Sequence, residues 1–209
     1  MTLAGYYANA RREIAPLLPS TLGSVLEIGC GEGNTLQWLR DSIGIKRCVG
    51  AEVNASAASR ARDKGFPVYH VNVENEALSL AGEQFDLLLC LDVLEHLADP
   101  WRVLPVLVTH LRPGGWVIAS IPNVAHVSVL LPLILRNEWT YESSGILDRT
   151  HMRFFTRKSA RSLLESSSLK ITAILPRFGR KTHRRVSFLT CGLFERFFTL
   201  QYLMSARKE

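Results

Sequence analysis

The sequence predicts a single α/β domain in which a mostly parallel sheet carries helices on both faces. Strand-like and helix-like segments alternate from Val25 to Ser120, the order that crossover units impose on a parallel sheet. Phe85-Asp-Leu-Leu-Leu-Cys90 is almost wholly apolar, as a strand covered on both sides must be. A length of 209 residues with 47% apolar content suffices for one sizeable core and argues against disorder.

Each element has its own signal. Residues 6–18 read as a helix stopped by Pro19, and residues 1–20 as a helical cover. Residues 25–28 are the first strand and 35–42 a helix; 47–52 are the second strand, and the alanine-rich run 55–64 is a helix closed by Gly65. Short strands follow at 68–71 and 85–90. Residues 100–111 form a crossover helix that Pro105 should kink or split. The turn Arg112-Pro-Gly-Gly115 feeds a strand at 116–120. Residues 121–155 are long and irregular by comparison, which suits a lid over a site. Thr156 should cap a helix over 156–166, with a strand at 169–175.

Charge is unevenly spread. Residues 1–105 hold 9 Lys/Arg against 13 Asp/Glu, and residues 106–209 hold 16 against 6. A basic second half is compatible with an anionic ligand, a nucleic acid, a membrane surface, or a plain solvated face. Cys30, Cys48, Cys90 and Cys191 form no paired motif, so buried thiols in a reducing cytoplasm are the simplest expectation. The first residues lack an apolar targeting core, and no apolar run reaches the roughly 18 residues of a spanning helix. The expected location is therefore cytoplasmic, with peripheral contact at the inner membrane face left open by the apolar run 127–135.

The richest segment is Val25-Leu-Glu-Ile-Gly-Cys-Gly-Glu-Gly-Asn34, a strand running into glycines at alternate positions. Residues without Cβ let a ligand lie against backbone. A dinucleotide fingerprint wants its third glycine at the sixth place, where this chain has Asn34, and pyrophosphate would be repelled by Glu27. That carboxylate suits an amine or a sulfonium instead. Ligands in such sheets collect at strand carboxyl ends. There Glu52 can accept both hydroxyls of a ribose, and Asn72 with the Val73 amide can face an adenine edge. Ile28, Val53, Val73 and Leu91 would supply apolar contact. Singly, Glu52 reads equally well as a capping acid and Asn72 as a turn residue.

Together, Glu27-Ile-Gly-Cys-Gly-Glu-Gly33, Glu52, Asn72-Val73, the run from Phe85 through Leu91-Asp-Val-Leu-Glu-His96, and Leu111-Arg-Pro-Gly-Gly115 resemble the class I S-adenosylmethionine-dependent methyltransferases across about residues 20–120. The resemblance implies a Rossmann-like sheet of seven strands in the order 3-2-1-4-5-7-6, the last strand antiparallel and expected at 201–207 after a helix near 193–198. It implies S-adenosyl-L-methionine as cofactor and S-adenosyl-L-homocysteine as product. Gly29, Cys30, Gly31 and Gly33 with Glu27 would hold the methionine part, and Glu52, Val53, Asn72, Val73, Leu91 and Asp92 the remainder. Many members carry Asp where this chain has Asn72. Gly145-Ile-Leu-Asp-Arg-Thr-His-Met-Arg-Phe-Phe-Thr156 and Ile121-Pro-Asn-Val-Ala-His126 resemble a bacterial subgroup of small methyltransferases, some accompanying surface-polysaccharide synthesis and others like ubiquinone-type O-methyltransferases.

Methyl transfer to a hydroxyl, or as the lesser reading an amine, of a small molecule, sugar or lipid-linked glycan needs positioning, and a hydroxyl needs a proton acceptor. His151 is the favoured base, with His96 and His126 behind it; Asp148 serves as base or orients a histidine. Arg149 and Arg153 can grip an anionic acceptor, with His126 beside it. The plainer reading is that Asp148, Arg149, Thr150, His151 and Arg153 tie a lid to the domain. Tyr6, Tyr7 and Arg11 are expected to fold over the cofactor. The histidines lack metal-ligand spacing; Asp92–His96 could approach a cation, but no metal is the expectation. The basic run Arg177–Arg185 has no base-stacking platform beside it, which disfavours a nucleic-acid acceptor. An RNA methyltransferase and a catalytically silent binding module are the alternatives.

Overall fold

The computed structural model describes residues 9–78, 80, 82–179, 188 and 192–209. Seven strands, β1 (Ser24–Ile28), β2 (Arg47–Glu52), β3 (Val68–His70), β4 (Phe85–Leu91), β5 (Leu111–Pro122), β6 (Leu169–Phe178) and β7 (Thr199–Lys208), form one sheet. Their order is β3-β2-β1-β4-β5-β7-β6, with β7 antiparallel to both neighbours. All five residues of β1 are buried, as are five consecutive residues of β4 from Leu87 to Leu91. Strands buried on both faces have no polar side to present, which explains their unbroken apolar run.

The α-helices with both ends among the described residues are α1 (Asn34–Trp38), α2 (Ala55–Asp63), α3 (Pro100–Thr109), α4 (Val127–Arg136), α5 (Arg157–Glu165) and α6 (Glu195–Phe198). Two apolar clusters result. One joins Leu26, Leu88, Val117 and Met204 to α3 and α5; the other joins Val25, Leu87, Leu89 and Ile118 to α1 and α2. The order reverses direction after β1, so the crevice between the carboxyl ends of β1 and β4 lies at the topological switch point.

Several expectations change. Residues 6–8 lie outside the described residues, and the rest of the expected N-terminal helix is a 3-10 turn over Arg12–Leu17 with Pro16 inside it. Pro16 has no N–H to extend an α-helical ladder there. The helix expected over 35–42 is α1 continued as a π-helical turn, Leu39–Ile43, and stopped by Gly44 at φ 85°. Pro105 neither splits nor ends α3. The helix forgoes one hydrogen bond but keeps Val103, Leu104, Leu107 and Val108 buried on one face. The run 121–155 is not uniformly irregular, because it contains the ten-residue α4, capped by His126. Thr156 caps α5 in a capping box with Ser159. Cys30, Cys48 and Cys90 are free buried thiols, while Cys191 lies outside the described residues.

Candidate active site

The turn after β1 has Gly29, Gly31 and Gly33 all at positive φ (69°, 54° and 73°), a backbone only glycine adopts freely. A Cβ on Gly29 would sit 2.8 Å from Val93 Cγ2, so any side chain there would fill the cradle between the β1 and β4 loops. Glu52, at the end of β2, braces this turn: its Oε2 accepts the Gly31 N–H at 2.8 Å and its Oε1 the Asn54 N–H at 2.8 Å. Glu52 does not cap the helix that follows, since Asn54 does so by accepting the Ala57 N–H; a carboxylate has about four acceptor sites, so two remain for hydroxyls. Cys30 turns its thiol into the core, close against Gly50 and 3.8 Å from the Gly31 carbonyl.

Glu27 is the site's unresolved charge. It is 3% exposed, Thr35 hydrogen-bonds its carboxyl, and its Oε2 has no hydrogen-bond partner among the described residues. Burial, reinforced by Glu52, pushes its pKa up to about 8. A buried carboxylate with an unmet oxygen beneath a glycine cradle fits a cationic ligand. Asn72 also takes up its plainer role: its Oδ1 accepts the Glu74 N–H at 3.0 Å, which leaves its NH₂ rather than its carbonyl to face a base. Val53 is 62% exposed beside it, an apolar side chain unclaimed by the core.

Asp92 follows β4 at φ 57°, a left-handed conformation that Asp tolerates better than most residues. Arg11 Nη1 donates to Asp92 Oδ2 at 2.5 Å, Ser120 Oγ donates to Oδ1 at 2.9 Å, and the Gln201 side chain also donates to Oδ1. Arg11 further reaches Glu13 and Ser120, and its N–H meets Thr35 Oγ1. Arg11 therefore ties the N-terminal segment to Asp92, Ser120 and Thr35 at the crevice, while Tyr6 and Tyr7 lie outside the described residues.

Three residues on, a 3-10 turn (Leu94–His96) presents Glu95 and His96. The Glu95 carbonyl accepts the N–H groups of both Met152 (2.8 Å) and Arg153 (2.9 Å), which brings the segment after Asp148 against this turn. As a result the His96 and His151 rings lie 4.7 Å apart, edge to face. His96 Nδ1 lies 3.2 Å from the Thr150 carbonyl and His151 Nδ1 2.9 Å from that of Ile146. A carbonyl only accepts, so each ring carries a proton on Nδ1, and in the neutral tautomer the lone pair lies on Nε2. Burial, then His151, push His96 below the usual imidazole range. Phe154 stands beside His151 (6.4 Å between centroids), with Trp139 and Tyr141 packed on it at 5.3 and 6.3 Å.

The other expected acceptor-side residues divide. Asp148 Oδ1 accepts from Thr150 N and Oγ1 at 2.8 and 2.6 Å; these bonds outweigh burial and hold its carboxyl below the usual range. That makes it a turn anchor beside the histidines rather than a base. His126 is 5% exposed and spends Nδ1 on the Ser128 N–H, capping α4. Arg153 donates through its guanidinium to the Ala98 carbonyl and lies over Trp101, which ties the segment down instead of freeing a cation for an acceptor. Arg149 is exposed. Sequence reasoning reached Glu95 only as one of the Asp92–His96 side chains that could approach a cation, and gave Ser120, Gln201 and Phe154 no role, although Phe154 lies inside the Gly145–Thr156 motif. A hollow of about 510 Å³ lined by Leu78, Glu83, Gln84 and His110 lies at the opposite, amino ends of β4 and β5.

A family model described as a methyltransferase domain matches residues 3–174. The chain is 36% identical over 125 residues to a ubiquinone biosynthesis O-methyltransferase of Cereibacter sphaeroides, covering 56% of this chain and 48% of that protein. It is 31% identical over 150 residues to the protein of that name from Dinoroseobacter shibae, covering 70% and 59%. The chain thus spans about half the length of the curated relatives it matches. Among solved structures, an S-adenosylmethionine-dependent methyltransferase from Archaeoglobus fulgidus superposes with TM-score 0.71 at 17% identity, covering 99% and 95% of the two chains. One from Mesorhizobium loti gives 0.66 at 17% identity, covering 94% and 96%.

Proposed function

Because the chain belongs to the methyltransferase-domain family, we propose that it is an S-adenosylmethionine-dependent methyltransferase that modifies a hydroxyl of a small molecule. The observation that carries this is the buried Glu27 carboxylate, with one unmet oxygen beneath a turn of three positive-φ glycines. S-adenosylmethionine supplies an electrophilic methyl group on a sulfonium. In this reading Glu27 receives the ligand's ammonium, and backbone at Gly29, Cys30, Gly31 and Gly33 lines the methionine part. Glu52 accepts the ribose hydroxyls, and the Asn72 amide and Val73 N–H meet the base, with Val53 and Leu91 on its faces. Asp92 contributes by holding Arg11, Ser120 and Gln201 at the floor of the crevice.

On the acceptor side, His151 Nε2 is the proton acceptor, with His96 beside it and Asp148 fixing the turn that carries both contacts. The aromatic wall of Phe154, Trp139 and Tyr141 favours an acceptor with an apolar or ring-shaped body over a bare glycan. The exposed apolar side of α4 is in keeping with peripheral contact at a lipid surface, and among the described residues no helix is long and apolar enough to cross a membrane.

Calorimetry with S-adenosylmethionine, S-adenosylhomocysteine and NAD tests the cofactor, and methyl transfer to a panel of phenols, sugars and RNAs tests the acceptor. Binding of NAD with neither sulfur ligand would overturn the reading. His151→Gln should leave S-adenosylhomocysteine affinity nearly intact while lowering turnover about 100-fold or more; unchanged turnover rejects the role given to that residue.

A further inference from the structure

We propose that Glu95, His96 and His151 form a binding site for one divalent transition-metal ion, placed to hold the acceptor hydroxyl. This rests on the reading of the chain as a hydroxyl methyltransferase only for the ion's purpose; the site itself stands on three observations.

One candidate ligand atom from each of the three residues lies within 4.8 Å of the other two. Cis ligands about an ion at roughly 2.0–2.2 Å are separated by about 3–3.5 Å, so a contraction of about an ångström or more closes the set. Second, Glu95 is 1% exposed and neither of its carboxylate oxygens has a hydrogen-bond partner among the described residues. An unpaired carboxylate is disfavoured at that depth unless a proton or a cation meets it. Asp92 already has its cation in Arg11, whereas among the described residues Glu95 stands in no ion pair. Third, both histidines direct Nδ1 at a backbone carbonyl, Thr150 for one and Ile146 for the other. That is the arrangement by which proteins orient an imidazole for metal ligation through its other nitrogen.

The donor set names the class of ion. Two imidazoles and one carboxylate suit zinc, manganese, cobalt or ferrous iron better than magnesium or calcium, which prefer oxygen. Three protein ligands leave at least one position open for an exogenous oxygen. Here that oxygen is the acceptor hydroxyl. Its O–H bond breaks with the electron pair left on oxygen, where the ion stabilises it, and the proton passes to solvent. In that event His151 acts as a ligand, and its neutral Nε2 is what the ion requires.

The test uses the full chain, stripped with a chelator and titrated with Co²⁺ for its absorption spectrum and with Zn²⁺ by calorimetry. S-adenosylhomocysteine affinity is measured in parallel. The expected result is one ion per chain, with affinity reduced by about 100-fold or more in His151→Gln and in Glu95→Gln. His151→Gln guards against misfolding of the more buried variant, and each variant should retain S-adenosylhomocysteine binding. Absence of stoichiometric binding, or equal binding by wild type and His151→Gln, overturns the metal site and leaves the methyltransferase reading standing. Metal binding by a chain that ignores both sulfur ligands does the reverse: the site survives and the reading of the chain fails.

Discussion

Glu27 sets burial against ligand charge, and the sign of the conflict can be measured. In the folded, ligand-free chain its carboxyl is held at about 8 by burial, against an ordinary value near 4.5. Between those two pH values the folded state binds a proton that the unfolded chain does not, so this residue's contribution to stability falls as pH rises through that window. Glu27→Gln should therefore raise the melting temperature of the ligand-free chain above pH 8 and change it little below pH 4.5. A cationic ligand needs the ionised form, so wild-type affinity should climb from about pH 6 to about pH 8, by at most about tenfold per unit. Calorimetry across that range checks it; a flat profile means that Glu27 does not meet the ligand's cation. Gly29 offers a second test. An alanine there acquires both a positive-φ backbone and a 2.8 Å approach to Val93, and should cost about 1–3 kcal/mol in chemical denaturation. Adding Val93→Ala should recover only the contact part. Glu27, Glu52 and the glycines were readable because each is fixed by its offset from a strand end. The unpartnered burial of Glu95 was not, since it is a property of what surrounds the residue. Nor was the Arg11–Asp92 pair, 81 residues apart, or the engagement of Arg153 by Ala98.

At the scale of elements, α4 is the anomaly. Only Val129 of its ten residues is buried, while Ile134 and Leu135 are 72% and 73% exposed. Exposed apolar side chains on one short helix mark a contact surface more often than an accident. Replacing Ile134 and Leu135 together with glutamate should leave stability within about 0.5 kcal/mol. The same change should reduce cosedimentation with anionic lipid vesicles; undiminished cosedimentation removes α4 from any lipid contact. The sequence announced this run as apolar without saying whether it was core or surface, because periodicity cannot tell a lid packed inward from one facing out. Helix α3 teaches the complement. Pro105 was expected to kink or split this helix, and it does not split it: a strongly buried face holds the helix together across one missing hydrogen bond.

For the whole molecule, the seven-strand order was legible only through family resemblance. Local patterns gave strands and helices, and nothing in them dictated that β7 should insert between β5 and β6. That insertion has a role at the crevice, since it delivers Gln201 to Asp92. Arg11, Asp92, Ser120 and Gln201 thus join the N-terminal segment, β4, β5 and β7 in one half-buried polar knot. Arg11→Met should destabilise the chain by about 1–3 kcal/mol in urea unfolding, because Asp92 would lose its cation while staying partly buried. The tether at the Glu95 carbonyl has a different consequence. It joins main chain to main chain and reads no side chain of the segment it holds. The stretch from Asn137 to Tyr141, ahead of the Glu142 bridge to Asp148, can accordingly change in sequence while the histidine pair stays in place. Such an arrangement lets a lineage change what it modifies without rebuilding where the modification occurs.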